Sequence, residues 1–281
     1  MGADGVKLLI MQEIRKRYRY SFILLRELVR TDFKIRYQDS ILGYMWSLLK
    51  PLLLFLILYL VFTKFLKVGN AVPHYAVYLL LGIVYWNFFV ELTVGSVGSI
   101  VGKGDLIRKI NFPKYNIVVA NSFSALINLG LNFIVVAIFM IFSHVGLNIH
   151  DFILIPLIVE LYIFSLSLAF LLSSLFVKFR DVGYIWDVVI QGAFYATPIL
   201  YPLSRIPVHY HLIRQIVMSN PMAQVIQDSR YVMVTNQATT INQVFNGNNL
   251  AWLIPTGITV LLMILGGWYF KKRSNYFAEE V

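Results

Sequence analysis

The stretch NIVVANSFSALINLGLNFIVVAIFMIF, residues Asn116–Phe142, decides the fold class because it contains no charged residue. A membrane-spanning helix needs about 20 mostly apolar residues, so this stretch is long enough to cross a bilayer. The sequence therefore predicts an all-α integral membrane protein with six transmembrane helices. The other five candidate spans are Tyr44–Phe65, Tyr75–Val101, Phe152–Val177, Val182–Leu203 and Leu250–Phe270.

The composition agrees with a membrane protein. Of the 281 residues, 58% are hydrophobic and only 14% are charged. A soluble domain could not cover so much apolar surface with polar side chains, whereas lipid solvates it. The first span is the weakest, because Lys50 and Lys64 flank its short uncharged core, but lysines near helix ends can extend to the interface. The absence of cysteine excludes disulfides and cysteine metal sites.

The basic residues predict the orientation. Most of the 24 lysine and arginine residues precede the first span, lie in the 101–116 and 178–181 loops, or follow the last span. Because cytoplasmic loops carry the excess of positive charge, we predict that both termini are cytoplasmic. This placement also accounts for the net charge of +10 without a nucleic-acid partner. The segments predicted to be external hold only Lys64, Lys67, Arg205, Arg214 and Arg230.

The chain divides into three predicted parts. Residues 7–40 have the pattern of a basic amphipathic helix, which is typical of helices that lie along anionic headgroups. The external segment 204–249 carries an Asn220-Pro221 turn ahead of a helical pattern through Met233, and we expect it to fold onto or back into the membrane surface. The parts are a cytoplasmic N-terminus (1–43), a transmembrane domain (44–270) and a cytoplasmic tail (271–281).

Motifs for nucleotide or metal chemistry are incomplete in this sequence. Gly102-Lys103 resembles the end of a Walker A loop, but Val97 stands where the first glycine should be and Gly104 replaces the serine or threonine. There is no Asp-x-Asp and no His-Glu-x-x-His motif. We therefore predict no catalytic residue, no metal site and no cofactor bound by this chain.

Three acidic residues fall in or near the predicted spans. Glu91, Glu160 and Asp187 are expensive to ionise in a bilayer, so each is a functional hypothesis, for example a proton relay. The alternative is that they lie near helix ends or pair with polar neighbours. Glu91 and Asp187 fall toward the cytoplasmic ends of their spans, which favours the alternative for them.

Aromatic side chains recur at helical spacing within the spans. Residues at i, i+4 and i+7 share one face of a helix. Such faces can stack on sugar rings, but they more commonly serve helix packing and lipid contact, and spacing alone favours packing. The aromatic residues concerned are Phe55, Tyr59, Phe62, Tyr78, Tyr85, Phe89, Phe194 and Tyr201.

Two short cytoplasmic segments are candidates for partner contacts. The first opens with Gly102 and Gly104, continues as a short amphipathic helix and ends at Pro113. An exposed helix of this kind suits a groove on a partner protein, although an ordinary basic loop explains it equally well. Residues 178–182 form the second candidate segment.

Several motifs together resemble one permease family, the membrane subunit of ABC exporters for cell-surface polysaccharides, including O-antigen and wall teichoic acid. The resemblance covers nearly the whole chain in order. The motifs are Leu28–Tyr37, Ser40–Pro51, Leu106–Pro113, Phe179–Val182, Ala196–Pro202 and Asn220–Met222.

The resemblance implies a homodimer in the bacterial cytoplasmic membrane that binds two copies of a separate ATPase, which would hold ATP and Mg²⁺. It implies export of a lipid-linked polymer. The amphipathic N-terminal helix would be an interface helix, with Arg30, Asp32, Lys34, Arg36 and Tyr37. The ATPase-coupling residues would be Asp105, Leu106, Ile107, Arg108, Lys109, Ile110, Asn111, Phe112, Arg180 and Asp181.

The resemblance also implies that the eight aromatic residues line a channel between protomers, and that the segment after Tyr201 forms short gating helices. Two alternatives stay open, a proton-coupled secondary transporter that uses Glu160 and Glu91, and an ABC exporter of drugs or ions with the same fold. A membrane enzyme acting on lipid-linked sugar would need an acid/base or metal constellation that is missing here.

Overall fold

A computed structural model describes residues 22–32, 34, 42–67, 69, 72–146 and 152–281. Every regular element among these residues is a helix, as the hydropathy pattern predicts. Among the described residues, five helices are long and apolar enough to cross a membrane, and they correspond to five of the six predicted spans. These five are Gly43–Phe65, Tyr75–Val97, Tyr115–Phe142, Leu154–Lys178 and Leu253–Arg273.

The described helices are numbered here in chain order. Residues 22–32 form α1, and the first span consists of α2 followed by a π-helical turn, Val61–Phe65. The others are α2 (Trp46–Leu60), α3 (Tyr75–Val97), α4 (Gly104–Lys109), α5 (Tyr115–Phe142), α6 (Leu154–Lys178), α7 (Val182–Ala196), α8 (His211–Ser219), α9 (Pro221–Met233), α10 (Ile241–Val244), α11 (Leu253–Arg273) and α12 (Phe277–Glu280).

The sixth full-length span, predicted at Val182–Leu203, is not confirmed. Only Val182–Ala196 forms an α-helix there, and its 15 residues extend about 22 Å, less than the roughly 30 Å of a bilayer core. The helix ends because Thr197 precedes Pro198 and adopts an extended conformation, with φ −83° and ψ 136°, as residues before proline prefer. A turn follows in which Thr197, Ile199 and Leu200 are buried. A short helix and a buried turn therefore replace the predicted continuous helix.

Helix α3 forms the centre of the protein. Most of its side chains are buried, and it packs against α2, α5, α6, α7 and α9. The most extensive helix pairing among the described residues is between α6 and α11. At their crossing, a Cβ on Gly266 would lie 2.5 Å from the backbone oxygen of Ser167. The two backbones can therefore approach this closely only because residue 266 is glycine.

Polar side chains inside the bundle bond to one another. The Asn128 amide donates to Glu91 at 2.6 Å and accepts a hydrogen bond from the Tyr44 hydroxyl at 2.9 Å. This chain of bonds joins α3, α5 and the start of the first span. Its effect is to satisfy a carboxylate within the membrane helices, which favours the structural interpretation of Glu91.

The segment 204–249, which is predicted to be external, contains the helix that its turn motif predicts. The Asn220 side chain accepts a hydrogen bond from the Met222 backbone N–H at 3.0 Å and so caps α9, with Pro221 at the first helical position. Helix α9 packs against α3, α6, α8 and α11. Because Gln227 and Arg230 are fully buried there, α9 is part of the bundle rather than a cover over it.

Candidate functional site

The predicted coupling segment has a buried side and an exposed side. Ile107 and Phe112 are each only 4% exposed and anchor α4 in the core, and Gly104 is buried as well. The opposite side carries charges of both signs and one partly exposed isoleucine. The exposed residues are Asp105, Arg108, Lys109, Ile110 and Asn111, and Leu106 is half-buried.

An ion pair joins α1 to the turn that precedes α4. The Lys103 ammonium donates to both carboxylate oxygens of Asp32, at 2.9 and 3.1 Å. Helix α1 buries Leu28 against the core and exposes Arg30, as an amphipathic helix should, and Lys34 beyond it is exposed as well. The predicted interface-helix residues Arg36 and Tyr37 lie outside the described residues.

The C-terminal residues support α4 from the other side. Helix α12 packs against α4, and the Val281 side chain lies directly against Gly104. The Arg108 guanidinium donates a hydrogen bond to the Val281 carbonyl oxygen. Phe277 is fully buried, with its ring 5.3 Å from that of Phe270. Helix α4 is therefore supported by α12 and, through the turn that precedes it, by α1, while Asp105 and Lys109 remain exposed.

The second predicted contact segment lies at the same end of the bundle. Arg180 and Asp181 are both exposed just before α7, and the Arg180 guanidinium lies 5.2 Å from the centre of the Phe176 ring. A cleft of about 340 Å³ is lined by Arg180 together with Val97, the last residue of α3. Since the chain passes from Val97 into the α4 segment, the two candidate contact segments share one face of the protein.

The eight aromatic residues fall into two groups. Phe55, Tyr78, Tyr85 and Phe89 are buried, each at most 5% exposed. Phe89, for example, stacks on Phe164 at 5.7 Å between ring centres. A buried ring cannot touch a passing polymer unless the surrounding helices separate, so these four serve packing in this arrangement. The partly exposed group is Tyr59, Phe62, Phe194 and Tyr201.

A buried arginine holds the turn that follows α7. Arg230 is fully buried in α9, and its guanidinium lies 3.6 Å from the centre of the Tyr78 ring. It donates to three backbone oxygens, those of Tyr78 at 2.9 Å and of Pro198 and Ile199 at 2.6 Å each. Burial lowers the pKa of Arg230 from its usual value. These bonds fix the C-terminal end of the short helix α7 against α3.

Comparison with known proteins decides the family. Residues 6–234 match the ABC-2 type transporter family. The chain belongs to that family. Two O-antigen export system permease proteins RfbA from Klebsiella pneumoniae are each 30% identical to this ABC-2 chain, over 95% and 92% of it and over 98% and 95% of their own lengths. A protein of the same name from Myxococcus xanthus is 27% identical over 95% of this chain and 98% of its own length.

Family membership fixes the general role of this ABC-2 chain. It is a multi-pass membrane protein and a transport component without an ATPase site of its own. The ATPase of such a transporter is a separate partner. This agrees with the incomplete Walker A pattern, and the Lys103 side chain that ends this pattern is instead paired with Asp32.

Another cavity of the ABC-2 chain lies where α5 begins and α11 ends. Its volume is about 1280 Å³, and Lys114, Lys271 and Lys272 line it together with Trp268. The Lys272 ammonium lies 5.1 Å from the Trp268 ring. On the predicted topology this is the cytoplasmic end of the bundle, where basic pockets between membrane helices favour anionic headgroups.

Sequence reasoning missed two features of the site. It placed Arg230 among the basic residues of the segments predicted to be external, but the side chain is buried and cannot meet a passing polymer. It did not foresee the Lys103–Asp32 pair, because the two residues are far apart in sequence. No local signal identifies either contact, since both depend on how distant helices pack.

Proposed function

We propose that this chain is the permease subunit of an ATP-driven exporter that moves a lipid-linked surface polysaccharide across the bacterial cytoplasmic membrane. The main support is that the O-antigen export permeases match this chain over almost the whole length of both sequences. A likeness of this extent includes the spans, the cytoplasmic segments and the external helices together. The proton-coupled alternative loses support, because ABC transporters are driven by ATP.

We propose an O-antigen-type polysaccharide as the substrate class. All three relatives carry O-antigen export in their names, and none names wall teichoic acid. An ABC exporter of drugs or ions is the less favoured alternative. A teichoic acid differs chemically, since it is a polyol-phosphate polymer, so the composition of the exported polymer distinguishes the two.

The channel is proposed to form between two copies of the chain. Among the five helices long enough to span the membrane, the first span has the smallest buried share. The structure describes every residue of α7, and none of them is buried. The partly exposed aromatic residues lie on these elements, Tyr59 on α2, Phe62 just after it, Phe194 on α7 and Tyr201 just beyond it. A second copy that covers these helices would place the aromatic rings along a shared path, where they can stack on sugars.

The external helices are proposed to gate this path. The segment between α7 and α11 contains single helical turns at Leu203–Arg205 and Val208–Tyr210, followed by α8, α9 and α10. Helices were expected after Tyr201, and their presence supports a gate near the external end of α7. The clamp by Arg230 sets the resting position of that end.

The ATPase is proposed to bind the face formed by α4, Arg180 and Asp181, with two copies serving two permeases. The exposed charges of α4 and its support by α1 and α12 favour this face. Both termini would then be cytoplasmic, on the side where ATP is found. The ATPase supplies ATP and Mg²⁺, and this chain supplies no catalytic group.

The experiment for the overall function is removal of the gene from its host. We expect lipid-linked polymer to accumulate on the cytoplasmic side and surface polymer to disappear, with recovery when the wild-type gene is returned. Analysis of the missing polymer for sugars and polyol phosphate then gives the substrate class. Unchanged surface polymer in the deletion strain would exclude the proposed role.

The coupling face is tested by Ile110→Asp, because Ile110 is 37% exposed on the proposed ATPase side of α4. We expect ATP hydrolysis by the purified complex to continue while polymer export falls at least several-fold. Leu250→Asp is the matched control, since Leu250 is 62% exposed just before α11, at the external end. Ile107→Asp is unsuitable, because Ile107 is buried and the variant would report unfolding. Normal export by Ile110→Asp would contradict the assignment.

A further inference from the structure

A second cavity, of about 630 Å³, opens between α6, α9, α10 and α11. Its wall is mostly apolar along α6, whereas polar side chains contribute to it along α9, α10 and α11. The volume is large for a single ion and suits a small polar group with part of an apolar chain. The apolar lining residues of α6 are Pro156, Leu157, Val159 and Ile163.

Two carboxylates face this cavity without a basic partner. Glu160 accepts a hydrogen bond from the Thr256 hydroxyl at 2.8 Å. Asp228 accepts from the Gln224 amide at 2.7 Å and from the Ile241 backbone N–H at 3.2 Å. All these donors are neutral, and no lysine, arginine or histidine lies among the lining residues that the structure describes. The cavity therefore concentrates negative charge that these residues do not neutralise.

Three lining residues each have a buried oxygen atom without a hydrogen-bond partner. They are Oε1 of Gln224, Oδ1 of Asn242 and Oγ1 of Thr259. The side chains of Gln224 and Thr259 belong to residues that are only 2% exposed. The Gln224 amide nitrogen is already used on Asp228, so its oxygen remains as an acceptor. Buried acceptors of this kind need a donor, which a bound group can supply after small side-chain rotations.

On the predicted topology, the cavity lies at the depth of lipid headgroups. Glu160 is six residues after the start of α6, about 9 Å along the helix, and Thr256 lies in the first turn of α11. Amphipathic groups settle about 5–10 Å into the boundary between headgroups and acyl chains. Trp252 lines the cavity and is 46% exposed, and Val159 and Val260 are about half exposed beside it. The cavity therefore opens sideways, toward lipid, on the predicted external side.

We propose that this cavity binds the ammonium headgroup of an aminophospholipid, such as phosphatidylethanolamine, in the external half of the membrane. The ammonium donates to Glu160, Asp228 and the unpaired oxygens, and the acyl chains lie along the apolar wall. Trp252 and Tyr231 supply aromatic faces that suit an organic cation. A metal ion would need six or more oxygens converging within about 2.5 Å, whereas these oxygens are spread over four helices around a much larger space.

The full chain is tested with its ATPase in nanodiscs of phosphatidylglycerol containing equal amounts of dioleoylphosphatidylethanolamine and dioleoylphosphatidylcholine. After transfer to detergent, the retained lipids are counted by native mass spectrometry. We expect about tenfold more phosphatidylethanolamine than phosphatidylcholine on the wild-type chain, a preference of the size that one charge-assisted hydrogen bond provides. Equal retention would overturn the proposal.

Two variants and one control complete the test. Glu160→Gln keeps the side-chain shape and the Thr256 hydrogen bond, and should bring the lipid ratio close to one. Val260→Trp places a large side chain at the lipid-facing opening of the cavity without changing a charged residue, and it should also lower the retention of phosphatidylethanolamine. Glu91→Gln is the matched control for loss of an acid inside the bundle, and should keep the wild-type ratio.

The outcomes separate the lipid from other occupants. If millimolar Ca²⁺ displaces phosphatidylethanolamine from the wild type, and the wild-type chain binds Ca²⁺ where Glu160→Gln does not, the cavity is an inorganic cation site and the proposal fails. An unchanged lipid ratio in Glu160→Gln also refutes it. Because lipid retention is measured without polymer, failure here leaves the proposed export function untouched.

Discussion

Replacement of Arg230 by methionine tests the side chain that donates to three backbone oxygens beside the C-terminal end of α7. Methionine keeps much of the apolar volume but removes the charge and every donor. The Ile199 oxygen then loses its donor, and the Pro198 oxygen keeps only the Gln227 amide at 3.3 Å. The stacking of the guanidinium on Tyr78 is lost as well.

These losses can be converted into a stability change. Buried acceptors left without a donor cost about 1–3 kcal/mol each, and a desolvated cation–π contact contributes about 2 kcal/mol. Part of this is offset because a buried cation no longer has to be desolvated, which leaves a net destabilisation of about 3 kcal/mol. At roughly 2–4 °C per kcal/mol, the unfolding temperature should fall by about 10 °C.

The assay is thermal unfolding of the purified protein in detergent, followed by intrinsic fluorescence. Arg205→Met is the matched control, because Arg205 is an exposed arginine of the same external segment, and it should leave the unfolding temperature within about 2 °C of wild type. Gly82→Ala is an independent probe, since its Cβ would lie directly against the Arg230 guanidinium, and it should lower the unfolding temperature too. Equal unfolding temperatures for Arg230→Met and Arg205→Met would refute the proposed clamp.

Three further outcomes are expected. Gly266→Ala should lower the unfolding temperature by several degrees, because its methyl group meets backbone, whereas Gly257→Ala, which has open space around its Cβ, should not. Burial raises the pKa of Asp228 from 3.8 to about 6. The stability contributed by this carboxyl group is therefore fully present below pH 4 and is lost as the pH rises through about 6. Thermal scans should show a falling unfolding temperature over this range in the wild type and a flatter profile in Asp228→Asn. Tyr59→Ala combined with Phe62→Ala should reduce polymer export while the ATPase still co-purifies, and wild-type surface polymer in that variant would count against the channel proposal.

The spans were largely predictable from sequence because their signal is local. A run without charges, such as Asn116–Phe142, leaves a chain few alternatives to a membrane helix, and the structure has α5 at Tyr115–Phe142. The start of α9 was predictable for the same kind of reason, since an Asn-Pro pair both caps and begins a helix. Each of these signals lies within a few residues of the structure it produces.

The predictions that failed or stayed open depended on distant contacts. Pro198 is a local signal for the end of α7, but proline also occurs inside membrane helices and so did not decide the matter. The turn that follows is held by a distant contact, the buried Arg230. Helical spacing put aromatic residues on common faces without revealing which faces are covered, and half of them are buried. The basic character of Arg230 gave no hint of its burial, because its acceptors are backbone oxygens, which any sequence supplies.

The direct backbone contact at Gly266 has a mechanical consequence. No side chain separates the two backbones at that point, so sliding α6 along α11 would bring larger residues into collision with the facing backbone. We therefore expect the two helices to move as one rigid unit. Any motion that widens the proposed channel would then involve the first span and α7, which bury far fewer of their residues against the rest of the protein. In the proposed dimer, the movement would be short and confined to one side of each copy of the chain.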